Sequence, residues 1–96
     1  MLQRYVVTYD VADPKRLRRV FKLLSQYGDH LQLSVFECQL NEKDLVELRD
    51  KLSKVIKKDE DQVLLIRLGP VDGRSETAVE ALGREYKPTD YAWVIV

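Results

Sequence analysis

An antiparallel sheet covered on one face by two helices, an α+β fold, follows from three features of this chain. Two amphipathic segments with strong start signals, near residues 14–27 and 41–58, read as helices. Apolar segments at 4–10, 31–40, 62–68, 77–82 and 91–96 read as strands. Their order is βαβ, then αββ, then one more terminal strand, which is the split-βαβ, ferredoxin-like plan.

Each element has a local reason. Arg4 to Asp10 is rich in Val and Tyr, which suit a pleated, half-buried surface. Asp13 stands as an N-cap, and Pro14 takes the first helical position, where its missing N–H costs nothing. Leu17, Val20, Phe21, Leu24 and Tyr27 recur at helical spacing and predict one buried stripe, with Gly28 as the C-cap. Leu31 to Leu40 reads as one long strand whose alternation is imperfect. Leu31, Leu33 and Val35 fall on one face, and Phe36, Cys38 and Leu40 on the other. Either a bulge shifts the pattern, or both faces are covered at different points; the second is preferred because it implies a partner surface. Asn41 caps a second helix with Leu45, Leu48, Leu52, Val55 and Ile56 on its buried side, and Lys57-Lys58 close it. Gln62 to Leu68 is nearly all apolar and reads as a central strand stopped by Gly69-Pro70. Thr77 to Leu82 is a shorter strand, 83–90 an extended linker, and Tyr91 to Val96 a final apolar strand.

That final strand and the face carrying Phe36 and Cys38 are too apolar to stand wet. Residues 1–96 therefore read as a single domain that forms a homodimer, its 83–96 linker and strand docking on the partner chain. A chain of 96 residues supports one modest core. No apolar run approaches the roughly 20 residues that span a bilayer, so no membrane partner is expected. Met1 leads straight into the first strand, leaving no room for a leader peptide, and a cytoplasmic location is expected. One cysteine excludes an internal disulfide, and with one histidine it argues against a zinc cage. Formal net charge is zero, which argues against coating nucleic acid by bulk charge, but the cations are concentrated in residues 15–22.

That concentration directs attention to the first strand-to-helix junction. The strand delivers one carboxylate, Asp10, to its end, and the helix carries Lys15, Arg16, Arg18, Arg19 and Lys22. A cation in the first helical turn is disfavoured by roughly 0.3–1 kcal/mol, so Lys15 and Arg16 sit where folding alone would not place them. A carboxylate beside cations suits a divalent metal and a phosphate chain. Magnesium keeps several waters and needs only one or two carboxylates, which a twofold axis would supply from Asp10 of each chain. The plain alternative is that Asp10 only satisfies backbone donors at the turn, and that the cations form a solvated helix face. Tyr9 and Phe36 could stack on bases, although packing is the commoner role for such residues. Ser34 has no base to activate it, and Cys38 reads as an inert packed thiol.

The chain resembles a known family, the small CRISPR-associated adaptation proteins called Cas-two. The resemblance is carried by Tyr5-Val-Val-Thr-Tyr-Asp10-Val, by the Arg-rich helix ending at Tyr27-Gly28, and by Gln32-Leu-Ser-Val-Phe-Glu37. Asp61 to Gly69 and Val79 to Gly83 extend it along essentially the whole length. It implies a ferredoxin-like homodimer of prokaryotic antiviral immunity and a metal-dependent endonuclease acting on RNA or DNA. It also implies a partnership with the integrase of the same system, Cas-one, in spacer acquisition. The metal-binding, catalytic acid it implies is Asp10, with Mg2+ (or Mn2+) as cofactor. Arg16 and Arg19 are the basic candidates for nucleic-acid contact, with Tyr9 and Phe36 beside them. Two other functions stay open: a non-catalytic DNA-binding dimer that bridges integrase subunits, and a toxin-like ribonuclease of similar fold.

Overall fold

A computed structural model describes residues 1–71 and 78–86. Along the chain run β1 (Gln3–Asp10), α1 (Pro14–Ser25), β2 (Gly28–Gln32), β3 (Val35–Leu40), α2 (Glu42–Val55), β4 (Gln62–Pro70) and β5 (Ala78–Gly83). The strands form a sheet in the order β2-β3-β1-β4-β5, with every neighbouring pair antiparallel. Two interleaved βαβ units with β1 and β3 side by side in the middle make the ferredoxin-like arrangement expected, with β5 added at the β4 edge. The expected strand at 91–96 and residues 87–90 of its linker lie outside the described residues.

Both helices begin as their sequences predict. The Asp13 carboxylate accepts from the Lys15 and Arg16 N–H groups, and Pro14 opens α1. The Asn41 side chain accepts from Asp44 N–H, and Glu42 and Asp44 complement the dipole of α2. Val20 and Leu24 of α1 and Leu48 and Leu52 of α2 are fully buried. They pack on one face of the sheet against Tyr5, Val7, Tyr9, Phe36, Cys38, Leu40, Val63 and Leu65.

This packing corrects three expectations. The segment 31–40 is not one strand but the end of a hairpin, turning at Leu33-Ser34 between β2 and β3. The break in alternation is the turn itself, with Ser34 in the left-handed region (φ 59°) and a register shift between His30 and Gln32. Phe36, Cys38 and Leu40 then face the helices, so they do not supply the apolar second face. That face carries instead the row Val6-Ile66-Val79, with Glu37 at its β3 end, and the row Val35-Thr8-Leu64-Ala81. It is covered by nothing among the described residues, and Val79 is exposed. Third, Gly69-Pro70 does not end β4. The strand runs through both residues, Gly69 taking φ 117°, while a register shift opposite Arg4 and Tyr5 leaves Leu68 as the extra residue of a bulge.

Gly28 is likewise not the helix cap. Gln26 closes α1, and Gly28 is the first residue of β2, paired with Cys38. A Cβ on Gly28 would press on the Glu37 carbonyl and stand 2.5 Å from Cys38 Sγ, so only glycine lets the two strands approach. Cys38 is enclosed, and burial first, then the charges of Asp29 and Glu37, push its thiol up to about 11. Gly28→Ala is expected to lower the unfolding free energy by about 1–3 kcal/mol in urea titrations, through overpacking against backbone. An unchanged midpoint would remove this account of the β2–β3 contact.

Candidate functional site at the end of the first strand

Asp10 is the last residue of β1, opposite Gln62 of β4, and its side chain is 76% exposed. Its carboxylate Oδ2 meets Arg84 Nη2 at 2.5 Å. Arg84 follows β5 directly, and its backbone is firmly held. Its N–H donates to the Asp61 carbonyl at 2.7 Å, and Gln62 Nε2 donates to the carbonyls of Arg84 and Glu85. Gly83 makes this possible: at φ 93° it lies against the Asp61 carbonyl, where a Cβ would collide. Beside Asp10 is a recess of about 200 Å3, lined on its other side by the hairpin turn at Leu33-Ser34. The Ser34 carbonyl accepts from Tyr9 N–H at 3.1 Å and pins that turn to the end of β1.

Under this site lies a buried carboxylate. Asp61 has no exposed surface. Its Oδ1 accepts from Ala12 N–H at 3.0 Å and Arg16 Nη2 at 3.2 Å; its Oδ2 accepts from Arg16 Nε and Lys57 N–H, both at 2.8 Å. Arg16 also reaches Glu60, which Lys57 Nζ approaches at 2.7 Å. Burial pushes the Asp61 carboxyl up, but the Arg16 guanidinium and the two backbone N–H groups outweigh it and hold the group at about 2. The same contacts, Asp61 foremost, push Arg16 further above its ordinary range.

The expected site residues therefore separate. Asp10 stands in the open at the strand end, as its position predicts. Arg19 is exposed on α1 and has no ion-pair partner among the described residues. Arg16 is engaged by Asp61 and Glu60, which explains its place against the helix dipole without any phosphate. Tyr9, 7% exposed, packs in the core while lining the recesses on both sides of the hairpin turn, and Phe36 is fully enclosed. Phe21 and His30 do reach the surface, stacked edge-on at 5.0 Å above Phe36. With Leu17, Arg18 and Leu33 they line a recess of about 380 Å3 on the other side of the hairpin turn. Arg84, Gln62 and this aromatic pair were not anticipated. Only the positive charge of Arg84 next to Gly83 could have hinted at the first.

One exposed carboxylate per chain fits a hydrated hard cation that keeps most of its water. It does not fit a transition-metal cage, since no cluster of three or more His, Cys, Asp or Glu occurs among the described residues. Residues 1–73 match the family described as CRISPR associated protein Cas2. The chain belongs to the Cas2 family. It is 40% identical over 92 residues to the CRISPR-associated endoribonuclease Cas2 1 of Rhodospirillum rubrum, covering 96% of this chain and 89% of that one. It is 39% identical over 79 residues to the CRISPR-associated endonuclease Cas2 2 of Thermus thermophilus, covering 82% and 80%. Among solved structures, a hypothetical protein of Thermus thermophilus superposes with TM-score 0.68 at 36% identity, over 79% of this chain and 89% of that chain. Cas2 of Streptococcus pyogenes superposes with TM-score 0.61 at 37% identity, over 65% and 81%. Cas2 is thus the family that the resemblance in the sequence named.

The Asp61 knot makes a signed prediction. Its folded pKa lies below the ordinary carboxylate value near 3.8, so its stabilisation is full above about pH 4 and is lost as pH falls towards 2. The shift corresponds to about 2 kcal/mol. Thermal melts of wild type should drop steeply across that window, and Asp61→Asn should flatten the drop. Arg16→Ala should cost about 3–5 kcal/mol at neutral pH by stranding the buried acid, whereas Arg19→Ala should cost no more than about 0.5 kcal/mol. Equal effects of the two arginines would refute the assignment.

Proposed function

We propose that this protein is a metal-dependent endonuclease of CRISPR adaptation that hydrolyses phosphodiester bonds as a homodimer. The observation that carries this reading is Asp10. It is an exposed carboxylate delivered to the end of β1, beside a backbone-anchored arginine and four residues before the start of a cationic helix. Relatives named endoribonuclease or endonuclease support it.

In this reading Asp10 holds Mg2+, with Mn2+ able to replace it. The bound ion would lower the pKa of a water and polarise a phosphoryl oxygen. The chain's own residues bind and orient the substrate. Arg18 and Arg19 present exposed guanidinium groups on α1 and attract the sugar-phosphate backbone, fixing its position without reading its sequence. Arg16 braces the junction from below through Asp61.

The second protomer belongs to the same proposal. Val6, Ile66 and Val79, with Val35 and Leu64 on either side of Thr8, put apolar area on the open sheet face, and a second copy laid on it would remove that area from water. The C-terminal segment would then reach the partner chain, and the two Asp10 residues would approach a common axis. The integrase partnership in spacer acquisition rests on family membership. A second reading, a non-catalytic scaffold holding duplex DNA between integrase subunits, is favoured by the exposed cations of α1 beside a single carboxylate.

Asp10→Asn separates the two. A nuclease should lose cleavage of single-stranded RNA or DNA by about a hundredfold or more, as should wild type stripped of divalent ions, while binding in a gel shift persists. Equal cleavage by mutant and wild type would point to contamination or another site and remove Asp10 from the reaction, whereas binding by both with cleavage by neither would leave the scaffold. For the dimer, Ile66→Glu is expected to yield a folded monomer in sedimentation equilibrium at concentrations where wild type is dimeric. A dimer that survives this change would place the interface elsewhere.

A further inference from the structure

We propose that Arg84 is the exchangeable counter-cation of Asp10, so that divalent-metal binding and nucleic-acid binding assist one another through this one side chain. The inference rests on the reading of Asp10 as the metal ligand, and adds a residue that the sequence pattern does not mark.

The placement of Arg84 is built rather than incidental. Gly83 adopts a left-handed conformation against the Asp61 carbonyl, which aims the Arg84 N–H at that same oxygen. Gln62, the cross-strand neighbour of Asp10, holds the carbonyls of Arg84 and Glu85 from the other side. Fixed by its backbone in this way, Arg84 swings only its side chain, which is 42% exposed and ends on Asp10 Oδ2. An exposed ion pair of this kind is weak enough to open and yet sufficient to screen the acid.

A divalent cation on that carboxylate weakens the hold of the guanidinium on it, because two like charges then sit within a few ångströms of each other. Metal entry therefore turns Arg84 outward. A freed guanidinium next to a metal-bearing acid is suited to a phosphate, whose oxygens match its fork of donors in a bidentate pair. The reverse order has the same result: a phosphate that takes Arg84 leaves Asp10 bare for the metal. Each ligand opens the same ion pair, so by reciprocity each strengthens the other by one common factor. That factor is roughly two- to fivefold, the worth of an exposed ion pair.

The test is calorimetric titration of Mn2+ into the full-length wild type, Arg84→Gln, Arg84→Lys and Asp10→Asn, with and without a short nuclease-resistant phosphorothioate oligonucleotide. Without oligonucleotide, Arg84→Gln should bind Mn2+ roughly two- to fivefold more tightly than wild type, while Arg84→Lys, which keeps the charge, should stay near wild type. The gain in Mn2+ affinity that oligonucleotide confers should shrink by the same factor in Arg84→Gln. Unchanged or weaker Mn2+ binding in Arg84→Gln, with binding abolished in Asp10→Asn, overturns the exchange but leaves Asp10 as ligand. Mn2+ binding that Asp10→Asn does not alter overturns both.

Discussion

The bond between Asp61 and Arg16 is the constraint on which the candidate site depends. One fully buried carboxylate gathers Ala12 from the link after β1, Arg16 from α1 and Lys57 from the link after α2. Its own backbone carbonyl takes the Arg84 N–H, drawing in the end of β5. Segments distant in sequence thus meet at a single residue directly before β4. Such a pair contributes little over an apolar replacement, but removing one member leaves a stranded charge. Its value is geometric: the turn that carries Asp10 and the strand end that carries Arg84 are both tied to the same anchor. Exposed groups at a strand terminus would otherwise drift with their loops.

The sheet is asymmetric in a way that assigns its two faces different work. One face is filled by ring and branched side chains under two helices. The other carries valine, leucine and isoleucine at its centre, among Thr8, Glu37, Gln39 and Gln62. Sheets that stay monomeric usually place polar residues there. Asp10 lies at the rim of that open face, so whatever covers the face also decides what stands next to the acid.

The helices and their N-caps were legible because their signals are local. Asp13-Pro14 and Asn41 act within three residues, and helical periodicity needs only one turn to show. What was missed is non-local or unmarked. The hairpin at Leu33-Ser34 contains no Gly, Pro, Asn or Asp, so its parity break was read as a change of covering. Ser34 holds a backbone angle that residue type does not announce. Arg16 was read against the helix dipole alone, because its true partner lies 45 residues away. Arg84 and Asp10 are separated by 74 positions, and only the antiparallel pairing of β4 with β5 brings them together. The place of Asp10 at the end of β1 was legible, since the end of a strand before a capped helix is a position that pattern alone can mark.

Cys38 has a practical corollary. It is the sole cysteine of the chain, and its thiol is enclosed and held far from its reactive form. The molecule thus carries no competing nucleophilic sulfur at neutral pH. Leu33, at the tip of the hairpin, is 90% exposed and stands between the acidic recess and the aromatic one. A thiol installed there would be a unique attachment point for a fluorophore or spin label. The native sequence thereby comes ready for reporting, from one position, on events in both recesses.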